Sequence, residues 1–262
     1  MLILLSPAKS LDYEAPLATS KRSEPRMLDQ ASELVEVMVK KSPRALSTMM
    51  GISESLAELN HERFQNWEIP LPDDPAAARP SILAFTGDVY QGLEAATFNQ
   101  RDFSYAQKVL RILSGLYGVL RPLDVMMPYR LEMGSKLKTG RGRDLYDFWG
   151  STITEVLKAD VAASPGAKVV VNLASNEYFK SVHPAELDAP VVSPAFLDAK
   201  GDGDYRTVAF FAKRARGAMA GWMIRERTSD VGQLATFDGL GYSYDADRST
   251  EDRPVFIRRN EA

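Results

Sequence analysis

Short apolar runs alternate with helical patterns along this chain, and this alternation constrains its fold more than any other feature. The runs are rich in Val, Ile, Leu or aromatic residues and are bounded by turn residues, which is typical of buried β-strands. Between them, apolar residues recur at the spacing of helices that have one buried face. The pattern predicts an α/β (α+β) fold in which helices flank a mixed or partly parallel central sheet. The predicted strands cover residues 2–5, 82–85, 169–173, 191–197 and 205–212, and the predicted helices cover residues 27–41, 53–64, 145–158 and 218–227.

Length and composition predict one domain without bound metal. The chain has 262 residues, no cysteine and two histidines, His61 and His183. That length is sufficient for a large core, and no linker-like tract divides it, so we predict a single domain over residues 1–262. Without cysteine, disulfides and thiolate ligands are excluded, and the two histidines do not have a metal-ligand spacing. We therefore predict no metal site and no cofactor, although carboxylates distant in sequence can converge on iron or magnesium.

The first five residues are too short an apolar run for a signal peptide, and they lack its basic flank. No other apolar run has the length needed to span a bilayer. We therefore expect a cytoplasmic protein with no membrane contact. The sequence also indicates no obligate protein partner.

A two-glycine break interrupts an apolar stretch near the middle of the chain. Gly115 and Gly118 lie between a run that begins at Leu110 and a second apolar turn, and Arg111 and Arg121 flank the break. Glycine allows close backbone approach, and free N–H groups at the start of a helix bind anions. The pattern predicts a helix-hairpin-helix that grips DNA phosphates without reading bases. The usual motif is Gly-x-Gly, so the break also fits an ordinary turn between helices.

The distribution of charge favours a surface that faces a polyanion. Residues 101–143 carry nine basic and three acidic side chains, whereas the whole chain has a formal charge of −3. A second basic cluster precedes the last predicted helix, although a run of charge also fits a solvated face. We predict that double-stranded or structured DNA is the partner. The predicted DNA-binding residues are Arg111, Gly115, Gly118, Arg121, Lys213, Arg214 and Arg216.

Polar side chains also follow the predicted strands, where α/β sheets place ligand sites. If these strand ends meet, they form a polar, lysine-rich cleft lined by Ser6, Lys9, Arg130, Asn172 and Ser175. An enzyme acting on nucleic acid or a small anionic substrate is therefore an alternative, because a desolvated lysine can act as base or nucleophile. Its catalytic candidates are Lys9, Glu132, Glu177 and Lys180. Each residue alone also fits capping or surface solubility, which leaves a structural or partner-binding module as a third possibility.

Six segments resemble the YaaA peroxide-stress proteins of bacteria. They are residues 1–9 (MLILLSPAK), 84–90 (AFTGDVY), 113–124 (LSGLYGVLRPLD), 128–134 (PYRLEMG), 172–180 (NLASNEYFK) and 212–217 (AKRARG). The resemblance implies an α/β domain of unusual architecture with a positively charged cleft and a helix-hairpin-helix. It further implies DNA binding and protection against hydrogen peroxide, associated with lower unincorporated intracellular iron. Because the chain lacks the usual ligands for tight ferrous binding, its sequence favours shielding or repair of DNA over binding of iron.

Overall fold

A computed structural model describes residues 1–201 and 203–260 of the chain. The strands are β1 (Leu2–Leu5), β2 (Ser10–Leu11), β3 (Arg79–Pro80), β4 (Phe85–Thr86), β5 (Leu110–Ser114), β6 (Gly118–Leu120), β7 (Val125–Met126), β8 (Val170–Asn172), β9 (Val191–Val192), β10 (Ala195–Lys200), β11 (Ser243–Asp245) and β12 (Val255–Asn260). The helices are α1 (Leu28–Met38), α2 (Pro43–Met50), α3 (Glu54–Gln65), α4 (Ser81–Ala84), α5 (Asp88–Leu93), α6 (Gln100–Val109), α7 (Leu145–Trp149), α8 (Thr152–Ala163), α9 (Asn176–Phe179) and α10 (Ala209–Arg225).

A five-stranded sheet lies at the centre of the molecule, in the order β6-β5-β1-β8-β9. Strands β5, β1, β8 and β9 run parallel to one another, and β6 pairs antiparallel with β5 at one edge. Every residue of β1 is buried, as its uninterrupted apolar sequence requires in a sheet covered on both faces. The predicted mixed, partly parallel sheet with flanking helices is therefore confirmed.

The chain changes direction across this sheet at β1. After β1 it next enters the sheet at β5 on one side, and after β8 it continues to β9 on the other side. The connections that leave the carboxyl ends of β1 and β8 therefore diverge. In open parallel sheets such a switch point forms the crevice in which ligands bind. The segments that follow β1 and β8 are consequently the first place to look for a site.

A second sheet, in the order β10-β12-β11, lies beside the first. Strand β10 is parallel to β12, and β11 is antiparallel to it. Helix α10 packs against β10 and against α5. Aromatic side chains fill the core of this region, where the rings of Phe196 and Phe256 stack with their centroids 5.5 Å apart.

Several sequence-based element predictions are wrong for physical reasons. Residues 82–85 mostly belong to α4, and residues 209–212 of the strand predicted at 205–212 form the first turn of α10. The strand predicted at 191–197 is divided into β9 and β10, because Pro194 has no N–H to donate within a ladder. The helix predicted at 145–158 is divided into α7 and α8 at Gly150, whose φ is 48°.

Candidate functional site

The predicted helix-hairpin-helix is a β-hairpin. Residues 110–120 form β5, a tight turn and β6, with Ile112 paired to Leu120 and Ser114 paired to Gly118. All eleven of these residues are buried within the central sheet. The prediction failed because a short apolar run of this length fits a buried strand and a buried helix equally well. A buried hairpin at a sheet edge is not available to DNA phosphates.

The two glycines of this turn have structural roles. Gly118 has a φ of 64°, which a residue with a Cβ rarely adopts. A Cβ placed on Gly115 would lie 2.2 Å from the carbonyl oxygen of Leu131, so this position allows close contact between two backbone segments. Both glycines are buried, and their assignment as DNA-binding residues stays a prediction.

The two arginines beside the hairpin are also held within the protein. Arg111 is 5% exposed, and its Nε donates to Asp160 Oδ2 at 2.6 Å. Arg26 donates to both oxygens of the same carboxylate. Arg121 Nη2 lies 2.8 Å from Asp124 Oδ1 and donates to the carbonyl oxygen of Glu24. These bonds fix loops and a helix to the sheet, and the assignment of Arg111 and Arg121 as phosphate contacts stays a prediction.

The carboxyl ends of β1 and β8 meet through two serines. Ser6 Oγ accepts a hydrogen bond from the backbone N–H of Ser175 at 2.8 Å and donates to Ser175 Oγ at 3.2 Å. The hydroxyl of Tyr90, on α5, donates to the carbonyl oxygen of Ser6 at 3.0 Å. The structure thus brings together two of the residues predicted to line the cleft. They lie at the switch point of the sheet.

The charged residues beyond this contact are paired with one another. Lys9 Nζ is 2.8 Å from Glu132 Oε2, and Arg130 Nη2 is 3.1 Å from the second oxygen of the same carboxylate. Glu177 Oε1 accepts from the backbone N–H of Gly134 at 2.9 Å. Lys180 lies over the ring of Tyr146, with its Nζ 4.6 Å from the ring centroid. Three cations therefore face two carboxylates, and the strong positive charge expected of this cleft is largely balanced.

This arrangement gives the enzyme alternative little support. Lys9 is exposed and its Nζ is ion-paired, so it is not the desolvated amine that a catalytic lysine requires. Glu132, Glu177 and Lys180 are each held by the contacts described above. No geometric feature of these residues distinguishes a nucleophile or a general base. The assignment of Lys9, Glu132, Glu177 and Lys180 as catalytic stays a prediction.

Buried tyrosines lie next to the charged residues of the cleft. The sequence analysis did not identify them. Burial raises the pKa of the Tyr178 phenol well above its ordinary value, and the neighbouring Tyr129, Glu177 and Glu132 raise it further. Burial also raises the pKa of Tyr129, whose hydroxyl is 2.7 Å from Ser114 Oγ. These phenols are therefore neutral near pH 7. They supply hydrogen-bonding groups without adding charge beneath the paired ions.

The basic cluster on α10 is divided between two faces of the helix. Lys213 and Arg214 are exposed. Arg216 is partly buried and lines a cavity with Asn172 and Arg253. Asn172, which we predicted to lie in the Lys9 cleft, therefore faces a separate polar cavity between the first sheet and α10. These three basic residues of α10 do not form the single surface expected from their proximity in the sequence.

A broad basic groove lies beside the Glu132–Gly134 segment. It encloses about 740 Å³ and is lined by Lys41, Arg44 and Lys136, together with the first turn of α2 and Gly134. No carboxylate lines it within the part of the chain that the structure describes. The sequence did not indicate this groove, because its cations come from segments far apart in the chain. Of the basic residues in 101–143, only Lys136 lines this groove.

Within residues 1–201 and 203–260, no group of three or more His, Cys, Asp or Glu side chains could hold a metal ion. Each histidine has a local contact: His61 Nδ1 is 3.0 Å from the carbonyl oxygen of Lys41, and His183 Nδ1 is 3.2 Å from Glu186 Oε1. Across the same residues, every helix is too short or too polar to cross a membrane.

The fold and its surfaces define a mixed α/β protein with a switch-point crevice and an adjoining basic groove. A family model described as Peroxide stress protein YaaA matches residues 1–248. The chain belongs to this family, which confirms the resemblance seen in its sequence motifs. The family name identifies it as a peroxide stress protein.

Proposed function

We propose that this peroxide stress protein binds duplex or structured DNA through backbone phosphates and thereby limits iron-dependent oxidative damage. The observation that carries the proposal is the groove lined by Lys41, Arg44 and Lys136. A groove with several cations and no lining carboxylate attracts a polyanion, because no internal counterion competes for those charges. Phosphate contacts of this kind hold a duplex without reading its sequence.

The local structure of the groove adds to its attraction for phosphate. Ser42 caps α2, accepting from the backbone N–H of Ala45, and the first turn of the helix forms part of the groove. The positive end of the helix dipole favours an anion there, although Pro43 has no N–H and the N–H groups of Ala45 and Leu46 donate to Ser42. The lysines and the arginine then supply full charges around the same position.

The groove adjoins the switch-point crevice at one residue. Gly134 lines the groove, and its backbone N–H donates to Glu177, which follows β8. A nucleic acid backbone in the groove would therefore pass close to Lys9 and Arg130, whose present partner is Glu132. Lys213 and Arg214, which are exposed on α10, would supply additional phosphate contacts. In this proposal Arg111, Gly115, Gly118 and Arg121 maintain the fold.

Protection would follow from coverage of the DNA. Ferrous iron reduces hydrogen peroxide to hydroxyl radical, which attacks nearby sugars and bases before it can diffuse far. A protein that is bound along the phosphates displaces the cations condensed on the duplex, and these include any iron held there. Sequence-independent binding suits this role, because the damage occurs without regard to sequence.

Charge reversal in the groove tests this proposal. The double variant Arg44→Glu with Lys136→Glu should bind every duplex sequence more weakly, because it removes two phosphate contacts. Its plot of log affinity against log salt should be shallower than that of the wild type by roughly two, at about 0.9 per contact. Fluorescence anisotropy with a labelled duplex measures both quantities.

The matched control changes the net charge by the same amount elsewhere. Arg101 and Lys108 are exposed on α6 and do not line the groove. The double variant Arg101→Glu with Lys108→Glu should retain the salt dependence of the wild type. Equal losses of affinity and slope in the two double variants would show that the groove is not the DNA-binding surface.

A further inference from the structure

A second cavity, separate from the basic groove, lies between the carboxyl ends of β8 and β9 and helix α10. It encloses about 270 Å³. Its polar lining comes from Asn172, Asn176, Ser193, Thr207, Arg216 and Arg253. It shares none of these residues with the groove. Its volume is near the lower end of small-molecule pockets, which is about 300 Å³, and it is too small to hold a duplex.

The charges in this cavity lack internal partners. Both arginines line it, and no described carboxylate does. Neither guanidinium makes a hydrogen bond, an ion pair or a ring contact with any residue in the ranges 1–201 and 203–260. The arginines of the hairpin and of the Lys9 cleft differ in this respect, since Arg111, Arg121 and Arg130 each contact a carboxylate.

Arg216 is the less exposed of the two arginines, and burial lowers its pKa. Burial of a charge without a partner is unfavourable, so a protein rarely retains one unless something compensates for it. An anion in the cavity would compensate for the partly buried charge of Arg216, and the exposed Arg253 would supply a second cation to the same anion. The planar guanidinium fork matches the oxygen spacing of phosphate and carboxylate groups.

The neutral residues of the cavity are oriented as hydrogen-bond donors. Asn172 Oδ1 accepts from the backbone N–H of Ala174 at 3.1 Å, which leaves its Nδ2 to donate to Ser193 Oγ at 3.3 Å. The hydroxyl of Ser193 acts as acceptor in this bond, so its own proton remains available for a further acceptor. A ligand that offers only acceptor oxygens would satisfy this arrangement.

We propose that this cavity binds a small molecule through an oxyanion group, a phosphate or a carboxylate, held between Arg216 and Arg253 with Asn172 and Ser193 orienting it. The cavity lies beside the switch point of the sheet, where α/β proteins bind ligands outside the strand ends. Binding there is independent of the proposed contact with DNA. The protein would then have a small-molecule site adjoining its nucleic-acid surface.

Titration of the full chain with inorganic phosphate and, separately, with acetate tests the proposal. Ionic strength is held constant with sodium chloride, and binding is followed by calorimetry and by the melting temperature. We expect saturable one-to-one binding of at least one anion. Saturation by phosphate assigns the group to a phosphate, and saturation by acetate alone assigns it to a carboxylate. Absence of saturable binding by both anions would overturn the proposal.

Two variants and a control locate the binding. Arg216→Met and Arg253→Met should each weaken anion binding by about tenfold or more, the effect of losing a charge-assisted hydrogen bond. Arg143→Met, at an exposed residue outside the cavity, should bind as the wild type does. Retention of wild-type affinity by both cavity variants would overturn the proposal.

The melting temperature without anion separates a binding role from a structural role. Arg216→Met keeps most of the apolar stem and removes an unpaired charge. The variant should therefore melt no lower than the wild type, while losing the rise in melting temperature that the anion produces. A large decrease in melting temperature without anion, together with an unchanged response to anion, would show that Arg216 serves the fold instead.

Discussion

The left-handed backbone at Gly118 allows a direct test at the scale of a single residue. An added Cβ would lie 2.7 Å from the sulfur of Met27 and 2.9 Å from the ring of Trp149. Gly118→Ala should therefore lower the free energy of unfolding by about 1–3 kcal/mol, through backbone strain and overpacking. Urea denaturation measures this change.

Gly140 provides the matched control, because its φ is not left-handed and no atom lies within 4 Å of an added Cβ. Gly140→Ala should leave the free energy of unfolding nearly unchanged. The folded fraction of Gly118→Ala should bind DNA as the wild type does. Lost DNA affinity without lost stability would contradict the structural role of Gly118 and favour the original hairpin hypothesis.

The roles of the arginines were the part of the site that was hardest to predict from the sequence. Arg111 and Arg121 lie in a segment rich in basic residues, but each forms an ion pair with a carboxylate, and this pair determines its role. Asp160, the partner of Arg111, lies on α8, far along the chain. Arg216 lacks such a partner among the described residues. Local sequence shows the charge of an arginine, whereas only the fold shows which acid lies next to it.

At the scale of elements, α8 is joined to the central sheet through Asp160. This carboxylate accepts from Arg111, in β5, and from Arg26, which precedes α1. Asp160→Asn should lower the free energy of unfolding by about 3–5 kcal/mol, because Arg111 would remain buried without its charged partner. Asp73→Asn, which removes a fully exposed partner of Arg22, should have no measurable effect. Equal effects of the two substitutions in chemical denaturation would contradict this account.

The same carboxylate makes stability depend on acid. Burial raises the pKa of Asp160, but hydrogen bonds from Arg26 and Arg111 outweigh it and hold this pKa below its ordinary value. The ion pairs of Asp160 therefore contribute fully to the free energy of unfolding above the pKa of the carboxyl in the unfolded chain, about 4. This contribution is lost as the pH falls through the lower pKa of the folded protein. The free energy of unfolding of the wild type should decline below about pH 4 more steeply than that of Asp160→Asn. Parallel pH profiles would contradict this assignment.

The elements that were predicted correctly are those whose secondary structure follows from their own residue pattern. The helices predicted at 27–41 and 53–64 correspond to α1 and α3. The strands predicted at 2–5 and 169–173 correspond to β1 and β8. The switch-point crevice was anticipated in part, since Ser6 and Ser175 do meet. The elements that were missed depend on tertiary pairing: β5 is a strand because it lies beside β1.

At the scale of the whole molecule, the net charge does not show how positive charge is distributed over the surface. The chain is formally −3, yet its groove presents Lys41, Arg44 and Lys136 without a lining carboxylate. Part of the basic excess in residues 101–143 is paired with acids from outside that segment, as Arg111 is with Asp160 and Arg141 is with Glu33. The sequence-based prediction placed the polyanion-facing surface on residues 101–143, whereas our proposal places it mainly at the groove. The fold forms this groove from segments that are distant in the sequence.

Salt dependence of duplex binding tests the central claim most directly. The purified protein is titrated onto a short fluorescent duplex across a series of salt concentrations, with an unlabelled duplex of unrelated sequence as competitor. Our account predicts that affinity falls steeply with salt, with a slope of about −3 or steeper, because the three groove cations contribute about −0.9 each and any contacts by Lys213 and Arg214 add to this. It also predicts full competition by the unrelated duplex. Absence of binding at low salt, or binding that resists both salt and competitor, would contradict a phosphate-binding groove.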